Sequence, residues 1–343
     1  MKAVFDKFKQ AWPLFLAGLI LGGASAVLVT HKLMLKKQKE LIDQIRPIRV
    51  ANSHYQFISP LLTYFIPNGG EFGAFAPLEK KVSYFINNQK ASGKVSDVSV
   101  YFRDLNLGRW MGINQNREYD PASMLKVIIM IAYYKQAENN PSILSEKITY
   151  TKDLNTALDA VPFQTPSSLQ TGQKYSIEDL IRSMITNSDN GAKNALLANI
   201  NQDSLNEVYS DLRVQVPDDQ KPYTISARAY SFFFRILYNS TYLSEAYSEK
   251  ALGLLTQTEY KEGLTAGLPE GLKTAHKFGE HVNPQTGGQI MDLELHDCGI
   301  VYNPDRPYAL CVMTKGKNLN NLANTIKTIS TLIFESVDSN YKK

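Results

Sequence analysis

The sequence predicts an α+β protein (layered sheet and helices) preceded by an N-terminal transmembrane helix. Three observations predict it. Strand-like stretches at 98–102 and 109–113 read as an early hairpin around Asp104-Leu-Asn-Leu-Gly108, and those at 292–302 and 308–314 as a late one. Between the two hairpins comes a central helix over 119–134, then residues 140–200 are largely helical, with one long loop, and 235–250 carry helical spacing. The run Ala11 to Thr30 contains no charged residue and has the roughly 20-residue length a bilayer-spanning helix needs.

Composition adds bounds. The 343 residues are 43% hydrophobic and 20% charged, an ordinary globular balance. A net charge of +4, dispersed along the chain, does not suit a nucleic-acid partner. No repeat or low-complexity tract is present, and no motif calls for a metal or a cofactor.

Residues 1–30 are read as a membrane anchor. Lys2, Lys7 and Lys9 precede the apolar run, and Lys32, Lys36, Lys37 and Lys39 follow it. A cleaved signal peptide is the rival reading: Ala24-Ser-Ala26 fits the small-x-small cleavage pattern, although Val27-Leu-Val29 carries the apolar run past it. The lysines slightly favour the C-terminal flank, which the positive-inside rule would keep in the cytoplasm. The chemistry below asks for the opposite. Residues 31–75 are read as a basic stalk and linker. The stalk suits anionic headgroups and ends at Pro47, whereas 52–75 is aromatic enough to pack against the domain.

The domain is expected over 76–337, with a polar tail at 338–343. Leu78, Val82, Phe85 and Ile86 give a first helix over 77–88. After the early hairpin, Asp120 reads as an N-cap and Pro121 as the first residue of a helix that is apolar all round from Val127 to Tyr134, hence buried. Residues 153–172 form a long polar loop, of a kind that is often functional. Ser176 and Asp179 make a capping-box-like start for a helix to Thr186, and a further helix covers 192–200. A last helix covers 321–334.

Three constellations carry chemistry. Ser123 and Lys126, three apart at the start of a buried helix, share a face. Burial and the positive helix end both depress a lysine pKa, so a neutral Lys126 amine could take the Ser123 proton. The bland reading is a small residue and a snorkelling lysine, and Ser339-Asn-Tyr-Lys342 repeats the spacing in the tail. Ser188-Asp-Asn190 lies between helices, where caps and turns are the default. Lys277-Phe-Gly279 lies near a strand, where Lys277 could bind an anionic group or simply protect an edge.

In this order, Ser123-Met-Leu-Lys126, Ser188-Asp-Asn190 and Lys277-Phe-Gly279 resemble the S-x-x-K, S-D-N and K-T-G motifs of serine β-lactamases and penicillin-binding proteins. The closest resemblance is to the class A β-lactamase fold. Leu144-Ser-Glu-Lys-Ile-Thr-Tyr-Thr, Gly172-Gln-Lys-Tyr-Ser-Ile-Glu-Asp-Leu-Ile and Gly299-Ile-Val-Tyr-Asn-Pro extend it over about Pro77 to Ser336. The resemblance implies an antiparallel sheet formed by both chain ends, flanked by helices, with a helical lobe between. It implies that Ser123 attacks a carbonyl, Lys126 manages its proton and Ser188 relays the proton to the leaving nitrogen. Asn190 would bind the substrate's amide side chain and Lys277 its carboxylate. The oxyanion hole would be the backbone N–H groups of Ser123 and Glu280.

Two departures from the motifs stand out. Phe278 replaces a threonine, removing a hydroxyl that would bind the substrate carboxylate and bringing an aromatic ring to the site. The segment Leu212–Ser226 lacks the glutamate that activates the deacylating water in class A enzymes, leaving Asp218 or Asp219 as the substitute base. Cys298 and Cys311 fall on the late hairpin. They form a disulfide if Pro304-Asp305 is the turn and the compartment is oxidising, and are otherwise small buried hydrophobes.

The sequence therefore predicts a single-pass, extracytoplasmic serine hydrolase acting on β-lactams or D-Ala-D-Ala wall peptides, with poor β-lactam turnover. The alternative is a binding module of the same fold that recognises wall peptide without cleaving it.

Overall fold

The computed structural model describes residues 28–34, 48–49, 55–63, 75–150, 163, 168–216, 223–284, 290–304 and 306–341. Contacts divide the chain into two units. Of the first, Met1–Arg46 with Tyr64–Pro67, only the helical residues 28–34 are described. The expected anchor thus lies, apart from residues 28–30, outside the described residues. Among those described, no helix is long and apolar enough to cross a membrane.

The second unit, Pro47–Thr63 with Asn68–Lys343, holds the domain. Helix α1, Ala76–Ala91, buries Leu78, Val82 and Ile86. The early hairpin is β1, Asp97–Asp104, and β2, Trp110–Ile113. Its turn is held by the Asp104 carboxylate, which accepts from the N–H groups of Asn106 and Leu107 at 2.8 Å. Strand β3 is Glu118–Tyr119 and helix α2 is Lys126–Asn139. The helical lobe continues with β4 Lys147–Thr149, β5 Lys174–Ser176, α3 Ile177–Thr186, α4 Asn190–Asn199 and α5 Gln202–Asp211. Strand β6 is Ile225–Ser226, paired with β3.

Helices α6, Ala227–Tyr238, and α7, Glu245–Leu255, then follow. The sequence reads 235–250 as one helix. The structure ends α6 at Tyr238, with Ser240 left-handed at φ 49°, before α7 begins. The chain finishes with β7 Thr274–Pro284, β8 Ile290–Val301, β9 Tyr308–Gly316 and α8 Leu319–Tyr341. Helix α8 runs through most of the expected polar tail.

The sheet is antiparallel with order β2-β1-β9-β8-β7, so N-terminal and C-terminal strands meet at β1 and β9. Both faces are covered. One carries α1 and α8 over Val98, Val100, Leu310 and Val312. The other carries the helical lobe over Tyr101, Cys298, Cys311 and Met313, with α2 at its centre. Every residue from Lys126 to Tyr134 is buried, and each large apolar side chain so covered contributes about 1.5–3 kcal/mol. The β8–β9 register sets Cys298 opposite Cys311, and the two form a disulfide.

Strand β7 is the sheet edge, and alternation divides its side chains. Ala275, Lys277, Gly279 and His281 take the lobe face, whereas His276, Phe278 and Glu280 take the other. The segment before the domain is tied down elsewhere. The Glu249 carboxylate on α7 accepts from three successive N–H groups, Gln56 at 2.6 Å, Phe57 at 2.7 Å and Ile58 at 3.1 Å. Ser59 N–H donates to Tyr238 O at 2.8 Å, and Tyr302 stacks edge-on against Phe57.

Candidate active site

Ser123 sits in a 3-10 turn, Ala122–Leu125, and not in the first turn of α2 as the sequence suggests. Asp120 accordingly caps no helix. Its Oδ1 accepts from Ala122 N–H at 2.8 Å in a local turn, because Ala122 is left-handed at φ 47° and interrupts helical winding. Glu294 and His296 on β8 hold this turn from below: Asp120 N–H donates to Glu294 Oε2 at 3.1 Å. His296 Nδ1 accepts from Thr314 N–H at 3.2 Å, so its Nε2 carries the proton and donates to Asp120 O at 3.0 Å.

Lys126, fully inside the protein, points its Nζ back to Ser123 Oγ at 3.0 Å. The same nitrogen meets Ser188 Oγ at 3.1 Å, Asn190 Oδ1 at 2.8 Å and the Ser188 carbonyl. Burial holds this lysine well below its ordinary pKa, and the charges of Lys277 and Lys193 push the same way, against Asp189. A neutral amine has two N–H groups and one lone pair. The Ser188 carbonyl and Asn190 Oδ1 can only accept, so they take the N–H groups and leave the lone pair for a hydroxyl proton.

The default cap reading of Ser188-Asp-Asn190 holds for Asp189, while Ser188 and Asn190 lie beside Lys126. Asp189 is the N-cap of α4, accepting from Ala192 N–H at 3.1 Å, and is held by Ser183 Oγ at 2.9 Å and Tyr150 OH at 3.1 Å. Fixing Asp189 turns its neighbours, Ser188 and Asn190, onto Lys126. Ser188 is left-handed at φ 59°, strain of the kind that persists where surroundings impose it.

Lys277 reaches across from β7 and donates to Ser188 Oγ at 2.9 Å and to Phe278 O at 3.1 Å. Its pKa is lowered to about 7 by burial, against the pull of Asp297. Neither Lys126 nor Lys277 forms an ion pair among the described residues. Gly279 lets β7 lie against the turn that carries Ser123: a Cβ there would run into Pro121 O and stand 2.8 Å from Met124 Cγ. This approach brings the strand that carries the Glu280 N–H beside the turn that carries the Ser123 N–H.

Phe278 is placed differently from the sequence expectation. Its ring does not open into the site. It is buried on the far face, stacked on Tyr260 at 4.1 Å, and the Lys277 Nζ lies 4.3 Å from its centroid. Three features escape sequence reasoning because only strand register reveals them. His276 Nδ1 pairs with Asp297 Oδ1 at 2.9 Å, both fully buried, and Asp297 Oδ2 accepts from Leu264 N–H at 2.8 Å. Tyr260 covers Phe278. The Glu280 side chain, expected to matter only through its N–H, has both carboxyl oxygens out of solvent, with the Phe163 backbone beside them. Asp218 and Asp219 lie outside the described residues.

The Ser123 hydroxyl, a buried amine with a depressed pKa, the Ser188 hydroxyl and a second lysine thus converge at a sheet edge. The chain belongs to the beta-lactamase enzyme family, whose model matches residues 77–337, and is a serine hydrolase of that family. No curated protein matches it by sequence. Among solved structures, PBP-A shares 19% identity over 80% of this chain and 100% of its own, with a TM-score of 0.62. A class A beta-lactamase from Mycobacterium abscessus shares 16% over 75% and 99%, TM-score 0.62. A beta-lactamase from Chitinophaga pinensis shares 21% over 76% and 99%, TM-score 0.62. Identities this low speak for the fold.

Proposed function

We propose that this protein is an extracytoplasmic enzyme, anchored through residues 11–30, that forms an acyl-enzyme on Ser123 with β-lactams or with D-Ala-D-Ala wall peptides. The observation that carries the reading is the placement of Lys126 Nζ, 3.0 Å from Ser123 Oγ and 3.1 Å from Ser188 Oγ. The Lys126 lone pair takes the Ser123 proton as Oγ attacks the carbonyl carbon. The tetrahedral oxyanion is received by the N–H groups of Ser123 and Glu280, each such donor contributing about 2.7–4 kcal/mol. As the carbon–nitrogen bond breaks, Ser188 gives its proton to the leaving nitrogen and regains one from Lys126. Lys277, in its charged form, holds the substrate carboxylate, and Asn190 the substrate amide. Support for the substrate class comes from the PBP-A neighbour, a mutant of which is described as an acyl-enzyme complex with penicillin G.

Deacylation is proposed to be slow, because residues 212–226 contain no glutamate to activate water. Loss of a general base slows its step by about 10²–10⁴-fold. A β-lactam keeps its leaving nitrogen tethered and so persists on Ser123, whereas a wall peptide's leaving amino acid diffuses away. Pre-steady-state hydrolysis of a chromogenic cephalosporin tests this. One rapid equivalent followed by a slow phase is expected, and fast turnover without a burst would return Asp218 or Asp219 to the role of base. A non-catalytic wall-peptide binder would show no burst.

A further inference from the structure

We propose that the buried His276–Asp297 pair positions Lys277 for a substrate carboxylate: it braces the edge strand from behind and sets a negative charge where it keeps Lys277 cationic. The inference deepens the acyl-serine reading above and rests on it.

Strand β7 has a sheet neighbour on one side only, yet it carries Lys277 and the Glu280 N–H. In front, Gly279 lies against the turn that carries Ser123. Behind, one carboxylate builds the brace. His276 and Asp297 share the far face of the sheet on neighbouring strands, with His276 opposite Gly299 and Asp297 opposite Phe278. Both side chains are wholly buried, and His276 Nδ1 lies 2.9 Å from Asp297 Oδ1. Asp297 Oδ2 accepts from Leu264 N–H at 2.8 Å. Gly263 makes room for that oxygen, since a Cβ there would run into it. The Thr258 hydroxyl completes the brace by donating to His276 O at 2.8 Å. Asp297 on β8 thus holds the segment 258–264, whose Tyr260 covers Phe278. It also holds β7, at the residue next to Lys277.

The charge of Asp297 acts together with the brace. Burial disfavours a lysine's charged form, and an opposite charge nearby favours it. Burial lowers Lys277 to about 7, and Asp297 pulls the other way. His276 orients that carboxylate without cancelling it. A carboxylate only accepts, so Nδ1 carries the proton of the pair. Nε2 is buried without a partner, and a second proton there would be a donor with no acceptor. The other groups facing Lys277 and Asp297 do not substitute. Lys126 and Lys193 bring only positive charge, and burial drives Lys126 to give its own up. Tyr230 and Tyr260 are kept protonated by burial and by Asp297 itself. Glu280, lifted to about 7 by burial, is common to every protein compared below.

Asp297→Asn keeps the shape and the acceptor for Leu264 N–H and removes the charge. NMR of the lysine side chains in the full-length protein, with Lys277→Ala assigning the signal, reads the effect without a ligand. Lys277 should titrate about one pH unit lower, a tenfold change in its proton affinity. Equilibrium binding to Ser123→Ala protein then compares benzylpenicillin with its carboxyl methyl ester. The acid-over-ester preference should be nearly unchanged by Asp297→Asn at pH 5 and reduced about eightfold at pH 7.5, as a one-unit shift from 7 requires. A purely structural pair would weaken both probes alike at every pH.

Two further variants test the brace, and they decide the matter if Asp297→Asn does not fold. His276→Asn places an amide N–H where Nδ1 stood and should keep the preference at pH 5. His276→Ala leaves the carboxylate unheld and should lower it severalfold. A shifted Lys277 titration in a protein that benzylpenicillin neither binds nor labels counts against the acyl-serine reading alone. An Asp297→Asn titration and preference that superimpose on wild type, or His276→Ala and His276→Asn proteins with equal preferences, overturn the proposal.

Discussion

The Lys126 Nζ and the Ser123 hydroxyl oxygen are 3.0 Å apart, although they lie in different kinds of helix: Ser123 in a 3-10 turn, Lys126 as the first residue of α2. The pair survives the change of winding because three residues complete a 3-10 turn and nearly complete an α turn.

Lys126→Ala should lower the rate of acylation by about 10²–10⁴-fold, the span of a general base, with the fold retained. Lys126→Arg should not rescue it, because a guanidinium stays protonated and has no lone pair to offer. Stopped-flow labelling of the two variants, alongside circular dichroism, checks both statements.

Carboxylate recognition should weaken as pH rises. The Lys277 pKa is lowered to about 7, so the amine is charged below that pH and neutral above it. For carboxylate-bearing ligands, Kd measured on Ser123→Ala protein should be flat from pH 5.5 to 6.5 and should rise above 7. Lys277→Ala should remove the part of this dependence that Lys277 contributes and weaken binding at pH 6.

Gly279→Ala should impair both fold and chemistry. The added methyl meets the Pro121 carbonyl and the Met124 side chain, and overpacking of this kind costs about 1–3 kcal/mol. Thermal melting reads the first effect. The labelling rate reads the second, since the strand must retreat from the nucleophile's turn.

Glu249→Ala should release the segment 55–59 from α7. Three backbone N–H groups lose a charged acceptor together, and limited proteolysis should then cut before Pro60 while the domain from residue 76 stays intact. An unchanged cleavage pattern would show that Tyr302 and Tyr238 hold the segment on their own.

The sequence makes the site's cast legible because its chemistry is local. A serine and lysine three apart at the entry to an apolar helix, and Asp189 poised to cap α4, are written in spacing. The helix start is misread because Asp120-Pro121 carries the signals of a cap, and nothing local discloses that Ala122 turns left-handed. The Glu280 carboxyl, the His276–Asp297 pair and the turning-away of Phe278 depend on how β7 registers with β8 and on what packs over its far face. Those are tertiary facts. The disulfide stood between two readings for the same reason, since one residue of register separates Cys298 facing Cys311 from the two facing apart.

The central claim is that Ser123 is acylated. Intact-protein mass spectrometry after brief exposure to benzylpenicillin tests it most directly, with peptide mapping of the adduct. The account predicts one equivalent of added penicillin mass, located on Ser123, persisting for many minutes and absent from Ser123→Ala protein. An unmodified wild-type protein, or an adduct that forms equally on Ser123→Ala, would contradict it.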